Sequence, residues 1–279
     1  MNKKYPLLLF FVCQMCISNA QQLITGTFNI RYETSRDSGN LWTDRKAYVT
    51  GLIRFHGFDV FGTQEGLSNQ LEDIQQQLPE YARYGVGRDD GVSKGEHAAI
   101  FYRKDRFSLL QSGDFWLSET PEKPGFGWDA RINRICSWVK LQEKQTAKIF
   151  YCFNVHYDHQ AITARRESSK LLLAKIKTIA GDAPVVVTGD FNGSYNTEWY
   201  QLIANSGIVS DTYRQVKHPY LNNGTFQNFG RSFTTGDVID HIFVTRHFSV
   251  KRWGVLTDSY HGKFPSDHFP VLAEIVLPE

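Results

Sequence analysis

The sequence predicts an α+β fold, in which β-sheets of mixed pairing carry helices on their outer sides. Strand-like runs of apolar, β-branched and aromatic residues recur along nearly the whole chain. Helix-like stretches at 45–55, 68–78 and 163–180 separate some of these runs, while short polar links join others. Short links make antiparallel neighbours and helical crossovers make parallel ones, so the sheets should contain both. No repeat, low-complexity tract or Pro/Ser-rich linker divides residues 21–279, which therefore read as one domain.

Composition narrows the class further. With 279 residues, 41% apolar and 14% aromatic, the chain can fill a sizeable core, and disorder is excluded. Residues 1–20 stand apart: Lys3 and Lys4 precede an apolar run from Pro6 to Ile17, then Ser18, Asn19 and Ala20. This pattern reads as a signal peptide cleaved before Gln21, and the run falls short of the ~20 apolar residues of a membrane span. The expectation is an exported protein, periplasmic or extracellular, monomeric and without stable membrane insertion. Cleavage removes two lysines and no acids, so the formal charge falls from +2 to 0. Net charge therefore gives no reason for non-specific nucleic-acid binding, although a local basic groove stays open.

The strand-like runs follow in order: "QLITGTFNI", "FDVFGTQE", "EHAAIFYR", "RFSLLQSGDFWL", "RICSWVKL", "KIFYCFNVHY", "APVVVTGDF", "DVIDHIFVT", "FSVKRWGVL" and "FPVLAEIVL". The two cysteine-bearing runs, joined by "QEKQTA", form a hairpin. With its turn centred near Lys144, Cys136 and Cys152 would face each other at roughly 4.5 to 5.5 Å between Cα atoms. A cross-strand disulfide and two buried thiols are the alternatives. The long helix ends before Gly181, as a C-cap requires, and its Arg165, Arg166, Glu167, Lys170, Lys175 and Lys177 read as a solvated face.

Several strands end in polar groups. In "PVVVTGDFNG" a β-branched run stops at Asp190 and Asn192, which a period of two points the same way while Phe191 points inward. "TGTFNI" presents Asn29 and then Arg31; "VFGTQE" ends in Glu65. "CFNVHYDH" carries His156, Asp158 and His159, "VIDHIFV" holds Asp240 and His241, and "FPSDHFPV" holds Asp267 and His268. One such end is ordinarily a turn-former or cap, but five more in one chain call for a common cause. Glu65, Asn29, Asp190, Asn192 and Asp267 are hard oxygen ligands or orienting groups suited to Mg²⁺ or Mn²⁺. His156 and His268 can transfer protons or face a phosphate, and neighbouring carboxylates would favour their imidazolium forms. Together these groups suit hydrolysis of a phosphate ester. The aromatic group Phe115, Trp116, Phe126 and Trp128 either rims a substrate cleft or packs.

The ordered set "TFNIR", "GTQE", "GDFN", "IDHIFV" and "SDHFPV" resembles the endonuclease/exonuclease/phosphatase superfamily, from about Leu23 to Leu277. The resemblance implies a four-layered αββα sandwich of deoxyribonuclease I type, with the site at one edge of the two central sheets. It implies a Mg²⁺- or Mn²⁺-dependent phosphoesterase, either phosphodiesterase or phosphatase, with Glu65 as main metal ligand, helped by Asn29 and Asp267. Asp190 would position or deprotonate the attacking water, and Asn192 would hold the phosphate. His268, oriented by Asp240, would stabilise the transition state; His156, paired with Glu96, would serve as general acid. Arg134 and Arg31 would contact the substrate phosphate. The phosphate-ester substrate stays open between nucleic acid, a lipid head group and a sugar or inositol phosphate. No exposed apolar hairpin of the kind a sphingomyelinase needs is evident. A catalytically dead binding module is the least favoured reading, because Glu65, Asp190, Asn192 and His268 are all present.

Overall fold

The computed structural model describes residues 22–276, so the expected signal segment and its cleavage point lie outside the described residues. Strand β1 (Gln22–Asn29) leads through helix α1 (Trp42–His56) to β2 (Val60–Gly66), and α2 (Ser68–Gln77) follows. Next come β3 (Tyr81–Tyr84), β4 (His97–Arg103), β5 (Phe107–Trp116), β6 (Ile135–Glu143) and β7 (Ile149–His156). Helix α3 (Ile162–Ala180) crosses to β8 (Val185–Asp190), followed by α4 (Glu198–Ala204), β9 (Ser210–Asp211), β10 (Asp240–Val244), β11 (Ser249–Val255) and β12 (Val271–Val276).

The strands form two six-stranded sheets, ordered β11-β12-β1-β2-β4-β3 and β5-β6-β7-β8-β10-β9. Each contains one parallel pair, β1 with β2 and β7 with β8, and each of those pairs is joined by a helix. The remaining pairings are antiparallel. The sheets pack face to face through Val60, Ile100 and Val271 on one and Val139, Phe150, Val186 and Ile242 on the other. Alternate positions face outward onto helices: Phe28, Phe61 and Phe101 meet Val49, Ile53, Leu71 and Ile74 of α1 and α2. Phe153, Val185 and Val187 meet Leu172 and Ile176 of α3 with Trp199, Tyr200 and Ile203 of α4. The result is the four-layered αββα sandwich. It explains the unbroken valine run of β8, since a strand covered on both faces needs no alternation.

Two sequence expectations change. Cys136 pairs with Val155 and Cys152 with Val139, so the hairpin register differs from a turn centred at Lys144. The two thiols consequently lie on opposite faces, Cys152 between the sheets and Cys136 beneath α3, and both are free and buried. Phe115 and Trp116 are core residues, and Trp116 Nε1 donates to the Arg88 carbonyl at 2.7 Å, whereas Phe126 is exposed; none of the four aromatics lines the cavity described below. Between the sheets, Asn154 donates to the Thr63 and Ala99 carbonyls and accepts from Gln64 and Thr188. Gly62 leaves room for this bridge, because a Cβ there would stand 2.2 Å from Asn154 Oδ1.

Candidate active site

The polar strand ends converge at one edge of the two sheets. Parallel pairing of β7 with β8 places His156 beside Asp190, and antiparallel pairing of β10 with β8 places Asp240 on the other side of Asp190. In the first sheet, β1 sets Asn29 beside Gln64, next to Glu65. Asn29 then joins the sheets: its amide N–H groups reach Glu65 Oε1 at 3.1 Å and Asp190 Oδ2 at 3.0 Å. Its oxygen accepts from the Arg31 backbone N–H at 3.0 Å, so Asn29 presents donors rather than an oxygen to the site.

His268 Nδ1 lies 2.9 Å from Asp240 Oδ2, and its Nε2 lies 3.9 Å from Asp190 Oδ2. Burial opposes the imidazolium, but Asp240, Asp190 and Asp267 outweigh it and push His268 up to about 10. His156 differs. Its Nδ1 stands 3.6 Å from Glu96 and its Nε2 3.7 Å from Asp190, yet burial and then Arg134 and Arg88 hold it well below its ordinary value. The carboxylates therefore favour the imidazolium only at His268; at His156 burial, reinforced by two guanidinium groups, holds the ring towards its neutral form. Arg88 Nη1, at 2.6 Å, holds the same Glu96 oxygen that faces His156.

Burial, then the charge of Asp240, pushes Asp190 up to about 7. Burial, then Glu65, pushes Glu96 to about 7 as well. Asp267 is raised by burial and by Glu65 to about 6, against the opposing pull of His268. Such crowding of carboxylates is a site that favours a cation. The Arg31 guanidinium supplies one, 2.8 Å from Asp37 and 3.8 Å from both Glu65 and Asp267. Glu65 itself sits at φ 65°, a left-handed conformation that L side chains seldom adopt, at the irregularity between β2 and β4. Its Oε2 accepts from the Tyr32 N–H at 3.1 Å, so it does not cap α2; Gln70 does that, accepting from the Leu67 N–H. These hard oxygen donors can hold a divalent metal. Asp190, Asp240 and His268 also lie within 4.8 Å of one another, but the His268–Asp240 bond already joins two of them.

Asn192 stands at φ 47°, donates its backbone N–H to Asp190 Oδ1 at 2.9 Å and its side-chain amide to the Tyr157 carbonyl at 3.0 Å. The turn is thus made by Asn192, while Gly193 is needed for space: a Cβ there would stand 1.9 Å from Trp199 Nε1. Arg134 lies 3.5 Å from Asp158 and 3.0 Å from His159 Nδ1. A cavity of about 600 Å³ is lined by Arg31, Glu65, Glu96, Arg134, His156, Asp190, Asn192, Asp267 and His268, with Asn29 and Asp240 packed behind. Its further walls are Tyr32, Asp37, Arg88, Phe226, Phe229 and Arg231, which sequence reasoning did not single out. All six lie in irregular segments or at loop positions without a strand-end signature.

A family profile described as Endonuclease/Exonuclease/phosphatase family matches residues 26–268. The chain belongs to this family. A family member from Bacteroides thetaiotaomicron is 44% identical, covers 93% of this chain and 99% of its own, and superimposes with a TM-score of 0.90. A mannosyl-6-phosphatase from the same species is 44% identical over 91% of this chain and 100% of its own, with a TM-score of 0.89. The catalytic domain of human nocturnin shares the fold, at 20% identity and a TM-score of 0.72 over 92% of this chain and 93% of its own. The chain is a hydrolase of phosphoric ester bonds, as its family implies. Among the described residues, no helix is long and apolar enough to cross a membrane.

Proposed function

We propose that this protein is an exported Mg²⁺- or Mn²⁺-dependent phosphatase that removes the phosphate from a small sugar phosphate. The observation that carries this reading is a pair of unsatisfied donors. Arg134 Nη1 and Arg88 Nε are buried at the wall of the cavity and have no hydrogen-bond partner among the described residues. Buried guanidinium N–H groups demand an acceptor, and a phosphate dianion supplies several oxygens in the geometry they fit. The confined volume suits a monoester of a small molecule better than a polymer track. The relative named a mannosyl-6-phosphatase supports a sugar as the esterified group.

In this reading Asp190, poised near 7, orients the attacking water and accepts its proton. Asn192 fixes that carboxylate through its backbone N–H. The His268 imidazolium, held by Asp240, stabilises charge on the phosphoryl oxygens. Neutral His156 donates a hydrogen bond to the phosphate or the leaving oxygen, with Glu96 behind it. Glu65 and Asp267 would hold the metal, and Asn29 orients Glu65. A bound divalent ion would neutralise phosphate charge and make a water more acidic.

The test is a substrate panel assayed with Mg²⁺, Mn²⁺ or EDTA: mannose 6-phosphate, glucose 6-phosphate, inositol phosphates, p-nitrophenyl phosphate, its bis-ester, plasmid DNA, RNA and sphingomyelin. Metal-dependent phosphate release from the sugar monoesters is expected, and Asp190→Ala should abolish it. Cleavage of plasmid, RNA or sphingomyelin without monoester hydrolysis would overturn the assignment.

A further inference from the structure

The turn that carries Asp190 and Asn192 leaves the sheet ladder after β8, so its carbonyl groups need partners from elsewhere. Three consecutive carbonyls each receive a side-chain donor. Trp199 Nε1 donates to the Phe191 carbonyl at 3.0 Å, Arg165 Nη1 to the Asn192 carbonyl at 2.9 Å, and His241 Nε2 to the Gly193 carbonyl at 2.9 Å. Because its partner is an acceptor, His241 carries a proton on Nε2; its Nδ1 faces Asp211 Oδ2 at 3.4 Å. Tyr200 hydroxyl donates to that same carboxylate oxygen at 2.8 Å. The donors also brace one another, with the Arg165 guanidinium 4.1 Å above the Trp199 ring. They come from α3, α4 and β10, and none of the three lines the cavity. Arg165, which the sequence placed on a solvated helix face, is instead half-buried here.

We infer that Trp199, Arg165 and His241 are positioning residues that lock this turn in its left-handed conformation, and through it fix the carboxylate of Asp190. The chain of contacts is short. A non-glycine residue at φ 47° persists only where its surroundings over-determine it, and the three donors supply that determination on the carbonyl side. On the opposite side of the same peptides, the Asn192 N–H grips Asp190 Oδ1, and the Asn192 side chain is tied to the Tyr157 carbonyl. If the carbonyl grip loosens, Asn192 relaxes towards ordinary φ values, and the N–H that orients the base turns away. None of the three donors lines the cavity, so each acts through Asp190 and Asn192.

The inference rests on the phosphatase reading only for its kinetic arm. Trp199→Phe keeps an aromatic ring and deletes the indole N–H; Arg165→Met keeps the stem and deletes the guanidinium; Arg165→Lys returns a donor. Each deletion should lower kcat about tenfold, the worth of one hydrogen bond, while KM stays within about twofold. Arg165→Lys should recover part of the loss. In parallel, amide hydrogen exchange of residues 190–193 should quicken about tenfold in both deletion variants, with the β-sheet amides unaffected. Unchanged kcat with unchanged exchange at the turn would overturn the inference. So would a loss of activity matched by faster exchange throughout the sheets, which marks general destabilisation. Should the wild-type protein hydrolyse no phosphate ester, the functional reading fails, and the exchange data still judge the grip on the turn.

Discussion

Replacing Asp240 by Asn removes one negative charge while leaving an oxygen to face His268 Nδ1. The change keeps the shape of the side chain, with the new amide nitrogen falling where Asp240 Oδ1 has no hydrogen-bond partner among the described residues. The charge matters more. Burial is the largest influence on His268 and works against the imidazolium; Asp240 is the strongest of the groups that reverse it and carry the side chain to about 10. A pKa above the unfolded value means that the pair's contribution to stability is fully present below 6.5 and is lost as pH rises through about 10. Without the Asp240 charge, the strongest influence opposing burial is gone, and His268 falls from about 10 towards its ordinary 6.5. At about pH 8 only about 3% of such a histidine is protonated, so a reaction that uses the imidazolium slows roughly 30-fold. The assay is kcat against pH, from about 5 to 10, for wild type and Asp240→Asn on the same sugar monoester. The alkaline fall of the wild-type profile should move into the neutral range. A variant that keeps the alkaline limb, or stays within about twofold of wild type at pH 8, would refute the account.

Glu65→Gln should weaken Mn²⁺ binding, followed by calorimetry or electron paramagnetic resonance, by at least about tenfold; unchanged affinity would place the metal elsewhere. Gly62→Ala drives a methyl group to 2.2 Å from Asn154 Oδ1, and a forced shift in so packed a layer should cost about 1–3 kcal/mol, read as a lower denaturation midpoint in urea. Dithiothreitol should leave the thermal midpoint of the protein unchanged, since Cys136 and Cys152 are free thiols on opposite faces of one sheet; a marked fall would revive a disulfide.

The sequence was most legible where one strand carries its own signal. A polar residue that terminates a β-branched run, as Asp190 does, has few structural reasons to be there, and the ordered set of such ends identified the family. Mixed pairing was legible too, since short links and helical crossovers leave different spacings. Hairpin register was not. It depends on how residues 144–147 turn, and a small change in the centre of that turn moved Cys152 opposite Val139. Helix α4 and strand β3 are too short to impress a period on the sequence. Arg165 was misplaced because helical periodicity says which residues share a face, but not that a neighbouring turn will rise to meet one of them. Arg88 had no signal at all: its role exists only because Glu96 and His156 arrive from other strands.

The hydrogen bond from Asn29 to Asp190 joins residues 161 positions apart and is one stitch, at the site edge, between two half-molecules, each a sheet with its own parallel pair and covering helices. Neither half holds a working set of groups, because Glu65 and Asn29 belong to one and Asp190, His156 and Asp240 to the other. Contacts of such separation are closed late during folding, after local hairpins and helical crossovers have formed. Turnover should therefore be the last property regained on refolding, trailing the recovery of secondary structure, and each half alone would be a chemically silent fragment. The catalyst comes into being only at the moment of docking.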